Sequence, residues 1–488
     1  MDYTQLLDKE LGQIDSETKA IIDFEEERQQ RKIILIASES FCPKAVKQAL
    51  GSAFTSLYAE GYPAKRLTQQ SIERILDYET ELVYQRRYGD RRYYKGCDYV
   101  NFIESLAQRR CAELFATPEI PPEKIFVNVQ PLSGAAANNA AYEAFLQPGD
   151  TVMGLALDSG GHLTHGSPAN RSGKLYKIVS YEVDKNTGKL NYENIKELAL
   201  KHKPKMIIAG YSAYPWSVDW KKLSEIAKAS NSILLADIAH PAGLVVAGKF
   251  PNPVGYADVI TFTTHKTICG PRGAAIITTD EEKARKIDAA VFPEEQGGPH
   301  ICNIAAKAVA FELAKTNTFK ELQHKVVENA QYLAKEFEKR GLKLAYGGTD
   351  THMVLLDLKP LKLSGEVASR ILDLCGIVCN KNSIMGDTNP AHPSGLRFGT
   401  TWITQLGFGK AEIEKLAELI HRILINITPF SYIGVTGEIG RGKIELEIME
   451  EVKREVAKLL ETTHSKFKLL SRSGYPHYYS IAEAKTST

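Results

Sequence analysis

"SILLADIAHPAGLVVAGKFPNPVGYADVITFTTHKTICGPRGAA", residues 232–275, contains two apolar runs that each lead to an ionisable residue. Ile233–Ala236 ends on Asp237. Val259–Phe262 leads to Lys266, four residues before a Gly-Pro-Arg-Gly turn. Short, almost wholly apolar runs of this length read as strands buried on both faces, and hence as part of a parallel sheet covered by helices. An aspartate after four apolar residues is costly to bury without a cationic or hydrogen-bonding partner. A lysine placed where burial ends loses solvation, which favours its neutral, nucleophilic amine. Taken singly, each residue has a plainer reading: Asp237 as a helix cap, Lys266 as a strand-end charge turned to water.

Working outward, strand-like and helix-like segments alternate from about residue 100 to 280, as in "KIFVNV", "GAAANNAAYEAFL", "TVMGLAL", "NIKELALKH" and "PKMIIAGY". This predicts an α/β fold with a mostly parallel central sheet and helices on both faces, whose ligands gather at the carboxyl ends of the strands. Beyond about 303, longer helices and shorter strands predict a smaller C-terminal α/β domain with a helical tail over 442–467. The expected divisions are an N-terminal helical arm and strand (1–55), a large domain (56–316, with an insertion at 67–91) and a small domain with its tail (317–488). Ser16 is the expected N-cap of a helix over 16–31.

With 488 residues the chain is too long for one compact core. Its net charge of +2, from 61 basic and 59 acidic residues, gives no bulk attraction to nucleic acid or membrane. The amino end lacks a basic and then apolar leader, no run is long enough to span a bilayer, and seven scattered cysteines form no CxxC pair. The expectation is a cytoplasmic protein with no metal site, no membrane contact and no nucleic-acid partner.

The strand ends carry a consistent chemical set. Ser133 and Gly134 lie between a strand and an alanine-rich helix, where backbone N–H groups can hold an anion. His162 and His165, flanked by glycines, suit metal ligation or a plain loop equally well. His240 follows Asp237 by three residues. A lysine and an aspartate ending consecutive strands, with a helix N-terminus for a phosphate, meet the needs of a pyridoxal phosphate site. There the lysine takes the aldehyde and the aspartate keeps the ring nitrogen protonated, making the ring an electron sink.

Eight stretches in order, "YAEGYPAKR" (58–66), "SGGHLTHG" (159–166), "YSAYP" (211–215), "LLADIAHPAGLV" (234–245), "TTHKTICGPRGAAI" (263–276), "AVFPEEQGGP" (290–299), "NKNSI" (380–384) and "SGLRFGT" (394–400), resemble the signatures of serine hydroxymethyltransferases. The resemblance covers about 30–425. It implies a fold-type-I pyridoxal phosphate enzyme, a homodimer or dimer of dimers, that exchanges a one-carbon unit between serine and tetrahydrofolate. It implies Lys266 as the Schiff-base lysine, Asp237 on the pyridine nitrogen, and His162 stacked on the ring. Ser212 and His240 would lie near the phenolic oxygen. Ser133, Gly134 and His265 would hold the phosphate, with Tyr58 and Gly298 from the neighbouring subunit. Arg397 and Ser38 would bind the substrate carboxylate. Glu60, also from the neighbour, would be the acid/base group and Tyr94 would lie near the substrate. Leu157 and Asn382 would hold the folate ring. The rival readings are an aldolase of the same fold acting on threonine or other β-hydroxy amino acids without folate, and a non-catalytic scaffold.

The resemblance is broken in three places. The family's continuous stretch around "YPAKR" is split, resuming at "RYYKGC" from Arg92. Ile72, Ile75, Leu76 and Val83 of the insertion share one helical face, which predicts a helix and a turn packed on the body. Its tip, "QRRYGDRRYYKG", reads as a solvated basic loop whose Arg86 and Arg87 would attract the glutamate tail of folate. Ala135 replaces a usual hydroxyl residue, and Glu294 and Glu295 replace common glycines, which points to weaker cofactor retention.

Overall fold

The computed structural model describes residues 3–88, 91–387, 392–434 and 437–464. Seven strands build the large sheet: β1 (Phe126–Asn128), β2 (Thr151–Leu155), β3 (Lys177–Tyr181), β4 (Met206–Gly210), β5 (Ile233–Asp237), β6 (Val259–Thr263) and β7 (Ala274–Thr278). Their order is β1-β7-β6-β5-β4-β2-β3. Neighbours from β6 through β3 are parallel, whereas β7 runs antiparallel to both β6 and β1. Strands β4, β6 and β7 are buried at every residue, as expected of apolar runs covered on both faces. β5 and β6 are adjacent, so Asp237 and the turn carrying Lys266 emerge side by side from the same sheet edge.

The small lobe is an antiparallel sheet of β8 (Lys343–Leu344), β9 (Met353–Asp357), β10 (Asn380–Asn382) and β11 (Gly395–Gly399), ordered β8-β9-β11-β10. The arm expected over 1–55 does not stand alone. Ile33–Ile34 pair in parallel with Ile377–Val378, and Ile33, Ile34 and Leu35 are fully buried in the small lobe's core. The apolar run docks there because Leu35 bridges two strands: its N–H donates to Val378 O and its carbonyl accepts from Gly399 N–H, each at 2.7 Å. This places Ser38 next to Ala37, whose carbonyl lies 3.2 Å from His352 Nε2.

The helix Ser16–Arg31 has the expected span, but its cap is Asp15, whose carboxylate accepts from Thr18 N–H at 2.9 Å. At the other end, Gly437–Lys443 forms a hairpin strand with Thr428–Gly434, and the helix Leu446–His464 starts four residues later than expected. The rest of the expected tail, 465–488, lies outside the described residues.

The insertion folds as short helices, including Ile72–Ile75 and Tyr78–Tyr88. Ile75 and Leu76 pack on Leu67 and Phe102, as expected. Val83 is 63% exposed, and Leu82 packs inward instead. The break between the two helices resets the helical phase, so one continuous face does not exist. Arg86 pairs with Asp98 at 2.9 Å and Arg87 lies over the Tyr88 ring, while Gly89 and Asp90 of the tip lie outside the described residues.

The insertion is a closed excursion. Gly61–Tyr62 pair antiparallel with Arg91–Arg92, restoring side by side the two halves of the split motif. Gly61 has φ +101°, and a Cβ there would meet Arg91 O at 2.1 Å, so only glycine fits. A buried ion pair locks the junction: Arg92 Nη2 to Glu104 Oε2, 2.5 Å, both side chains fully buried. Arg92 also donates to the carbonyls of Ala59 and Gly61 and to Asn101 Oδ1, and Gln130 donates to Glu104 Oε1. Arg92→Leu leaves Glu104 buried without its cation. It should cost about 3–5 kcal/mol of stability, read as a lowered denaturant midpoint; an unchanged midpoint would show that the pair does not lock the hairpin.

Candidate active site

Asp237 closes β5 with its carboxylate already held. Asn138 Nδ2 donates to Oδ2 at 2.8 Å, His165 Nε2 lies 2.9 Å from the same oxygen, and Ala239 N–H donates to Oδ1 at 3.0 Å. Burial alone would raise its pKa, but the His165 hydrogen bond and the neighbouring imidazoles outweigh it and keep the carboxyl well below its ordinary range. Asn138 is itself oriented by Thr261 Oγ1, which donates to Oδ1 at 2.7 Å. An ionised carboxylate this well supported can keep a ring nitrogen protonated.

Lys266 is 8% exposed. Among the described residues its Nζ has neither a hydrogen-bond acceptor nor a carboxylate within salt-bridge range. Burial lowers its pKa to about 8 from the usual 10.5, against the opposing pull of Asp237 and with help from Arg397 and Arg272. The rate at which apoenzyme takes up pyridoxal phosphate should therefore climb with pH to a midpoint near 8. A midpoint near 10.5 would show an ordinary solvated amine.

The small lobe supplies a cation at the same place. Arg397, in the middle of β11, is 7% exposed and no carboxylate of the described residues lies in salt-bridge range. It reaches across the cleft, where Nη1 donates to the carbonyl and hydroxyl of Ser212, while Nε donates to Asn380 Oδ1 at 3.0 Å. Desolvation pulls its pKa down to about 10. A buried guanidinium with no acid fits an anionic ligand.

Histidines line the space between. Thr164 N–H donates to His162 Nδ1 at 3.2 Å and the Thr164 hydroxyl lies 2.7 Å from it, which leaves Nε2 as the protonated nitrogen of a neutral ring. Burial, then His165, lowers the His162 pKa to about 4. His240 and His352 stack at 5.4 Å with Nδ1 and Nε2 3.2 Å apart, and His352 Nε2 also lies 3.2 Å from Ala37 O, next to Ser38. Burial foremost keeps both neutral.

Ser133 caps the helix Gly134–Phe145, accepting from Ala136 N–H at 3.2 Å. The N–H groups of Gly134 and Ala135 have no acceptor among the described residues. A Cβ at Gly134 would meet Thr263 Cγ2 at 2.8 Å, so glycine is what allows this helix end to approach β6. Ala135 is exposed and still offers its backbone N–H. His265, beside Lys266, is held neutral by burial with a pKa of about 3. A free helix N-terminus, an unpaired buried lysine and a supported carboxylate together fit pyridoxal phosphate. Bound there, its phosphate would take the helix end, its aldehyde Lys266 and its ring nitrogen Asp237.

Tyr58, Glu60, Tyr94 and Gly298 form a second group. Tyr58 Oη donates to Glu60 Oε1 at 3.2 Å, and its ring packs edge-on against Tyr94 at 4.9 Å. A Cβ on Gly298 would strike the Tyr58 ring at 2.7 Å. Tyr58 and Tyr94 are 55% and 43% exposed, so the group faces outward. Among the described residues no hydrogen bond or ion pair joins it to Lys266, Asp237 or Arg397. Glu295 is paired with Arg171, and Glu294 is exposed. Leu157 and Asn382 are half-buried; Asn382 Nδ2 donates to Ser383 O, and residues 388–391 lie outside the described set.

Sequence reasoning missed His165, Asn138 and Thr261 as supports of Asp237. "SGGHLTHG" offered two histidines, but which one turns toward β5 depends on the loop's path. Among the described residues no group of three or more His, Cys, Asp or Glu side chains could hold a metal ion, and no helix is long and apolar enough to cross a membrane.

Comparison with known proteins adds independent information. A family model described as serine hydroxymethyltransferase matches residues 11–86 and 72–420, two stretches that overlap within the insertion. A serine hydroxymethyltransferase of Wolbachia pipientis wMel is 47% identical over 415 residues, 85% of this chain and 90% of that protein. One from Ehrlichia ruminantium (strain Gardel) is 42% identical over 456 residues, 93% of this chain and 98% of that one.

Proposed function

The chain belongs to the serine hydroxymethyltransferase family, and from that premise we propose that it transfers the hydroxymethyl carbon of serine reversibly to tetrahydrofolate, giving glycine, 5,10-methylenetetrahydrofolate and water. The observation that carries the reading is the convergence, among the described residues, of an unpaired buried amine, an ionised buried carboxylate and an acid-free buried guanidinium from the other lobe.

Pyridoxal phosphate, when bound, supplies the electron-withdrawing ring that accepts the electron pair left when a bond to the substrate's α-carbon breaks. The protein's groups do the rest. Lys266 would anchor the cofactor, Asp237 would keep its ring nitrogen protonated, and neutral His162 would pack on its ring. Arg397 and Ser38 hold the serine carboxylate, while Ser212 and His240 line the floor. Ser133, Gly134 and His265 take the phosphate. Leu157 and Asn382 hold the folate ring.

Glu60 moves the proton at the serine hydroxyl, with Tyr94 beside it. The outward-facing cluster of Tyr58, Glu60, Tyr94 and Gly298 supports a homodimer in which each chain completes its neighbour's site. All seven cysteines are free thiols, which supports a reducing, cytoplasmic setting.

Serine cleavage measured with and without tetrahydrofolate tests the reading. Folate-dependent glycine formation is expected; equal rates without folate would make the protein an aldolase, and no turnover a scaffold. Shared sites have their own test. Mixing inactive Lys266→Ala and Glu60→Gln chains and letting them exchange should restore about one quarter of wild-type activity, since half the dimers then carry one intact site. No recovery, with exchange confirmed, would place Glu60 in its own chain's site.

A further inference from the structure

A cleft of about 70 Å³, counted as space for the centres of water-sized molecules, lies between the insertion, the sheet edge and the helix Glu281–Ala289. Lys266, Asp237 and Arg397 do not line it. One acceptor, Asp288, faces into it, and a second, on Gln108, lies sealed behind the wall. Gln108 is 7% exposed, and its Oε1 is buried with no donor among the described residues. Asp288 accepts from Asn128 Nδ2 at 2.9 Å through Oδ1 only. Its backbone carbonyl takes the Tyr62 hydroxyl at 2.6 Å.

Three cations stand at the mouth, but two are already engaged: Lys65 and Arg285 share Glu281, at 3.5 and 2.6 Å. Arg91 is the open one. Its Nε donates to Pro63 O at 2.9 Å and its guanidinium lies 5.5 Å from the Tyr62 ring centre, while its terminal nitrogens have no acceptor among the described residues. Ile125, Ile276 and Ile287 form the apolar wall.

We propose that this cleft binds a free α-amino acid with an aliphatic side chain, its ammonium on Asp288, its carboxylate on Arg91, and its side chain against the isoleucines. A carboxylate with one oxygen free of donors among the described residues suits an ammonium, which brings three N–H groups and a charge. One open guanidinium suits one carboxylate, which its planar fork matches. A phosphorylated ligand would need more free positive charge than Glu281 leaves. The proposal does not rest on the catalytic reading.

Burial raises the Asp288 pKa to about 6, with Asn128, Arg91 and Lys65 opposing and Glu104 adding to the rise. Only the ionised form accepts an ammonium proton, so affinity should fall as pH drops through about 6.

The test is titration calorimetry of the holoenzyme with L-leucine, beside 3-methylbutylamine and 4-methylpentanoate, which each lack one charged group. L-leucine should bind, and Asp288→Asn should weaken it roughly tenfold or more. Asp288→Asn should also remove the pH dependence. Ala284→Met fills the cleft while leaving its polar groups in place, and should abolish binding without altering serine cleavage; Arg397→Ala should leave leucine binding unchanged. The proposal is overturned by absence of leucine binding, by equal binding of either singly charged probe, or by binding that survives Ala284→Met and disappears with Arg397→Ala.

Discussion

Replacing Lys266 with alanine is expected to lower folate-dependent serine cleavage by roughly 10⁴-fold, the scale of loss when one member of an interdependent catalytic unit is removed. The amine is buried in the turn after β6, with no carboxylate of the described residues in salt-bridge range and its pKa drawn down to about 8. A desolvated lysine without a partner costs stability, so its retention points to chemistry and not to folding. Lys266→Ala should therefore unfold at or above the wild-type midpoint while glycine formation disappears. Activity above about one hundredth of wild type would mean that the amine is not the cofactor's anchor.

Arg397→Ala should raise the KM for serine by roughly 10²-fold or more, equivalent to about 3 kcal/mol, as expected for loss of a buried charge-assisted pair. The effect should fall mainly on KM, because the carboxylate is held alike before and during reaction. Without ligand the sign differs. The guanidinium is 7% exposed with no carboxylate of the described residues in range, so removing it lifts a desolvation cost that offsets the lost bonds to Ser212 and Asn380. Stability without substrate should stay within about 1 kcal/mol of wild type. Arg397→Lys keeps charge but loses the planar fork, and should recover only part of the affinity. An unchanged KM in the alanine variant would remove Arg397 from the substrate site.

Much of the fold was legible. Runs such as Ile233–Asp237 and Val259–Thr263 carry enough apolar residues to be strands in a covered sheet, and the alternation with helices left little choice of architecture. Local phase was less legible. Val83 fits a continuous helix with Ile72 and Ile75, but the chain breaks between Ile75 and Tyr78, and Leu82 takes the inward place. The hairpin of Thr428–Gly434 with Gly437–Lys443 was missed because its glycines and charges lack strand alternation. Long-range pairing was not legible at all. Nothing near residue 33 says that it will join residue 377.

By itself the amino-acid order determined the sheet architecture and the chemical cast at its strand ends, because hydrophobic periodicity and residue type are local properties. Only tertiary structure decided how Asp237 keeps its charge, since His165 and Asn138 come from separate segments. It alone showed Arg397 crossing between lobes without an acid, and Arg92 closing the hairpin around an insertion. Burial and partnership depend on distance through space, and a linear pattern does not carry that distance.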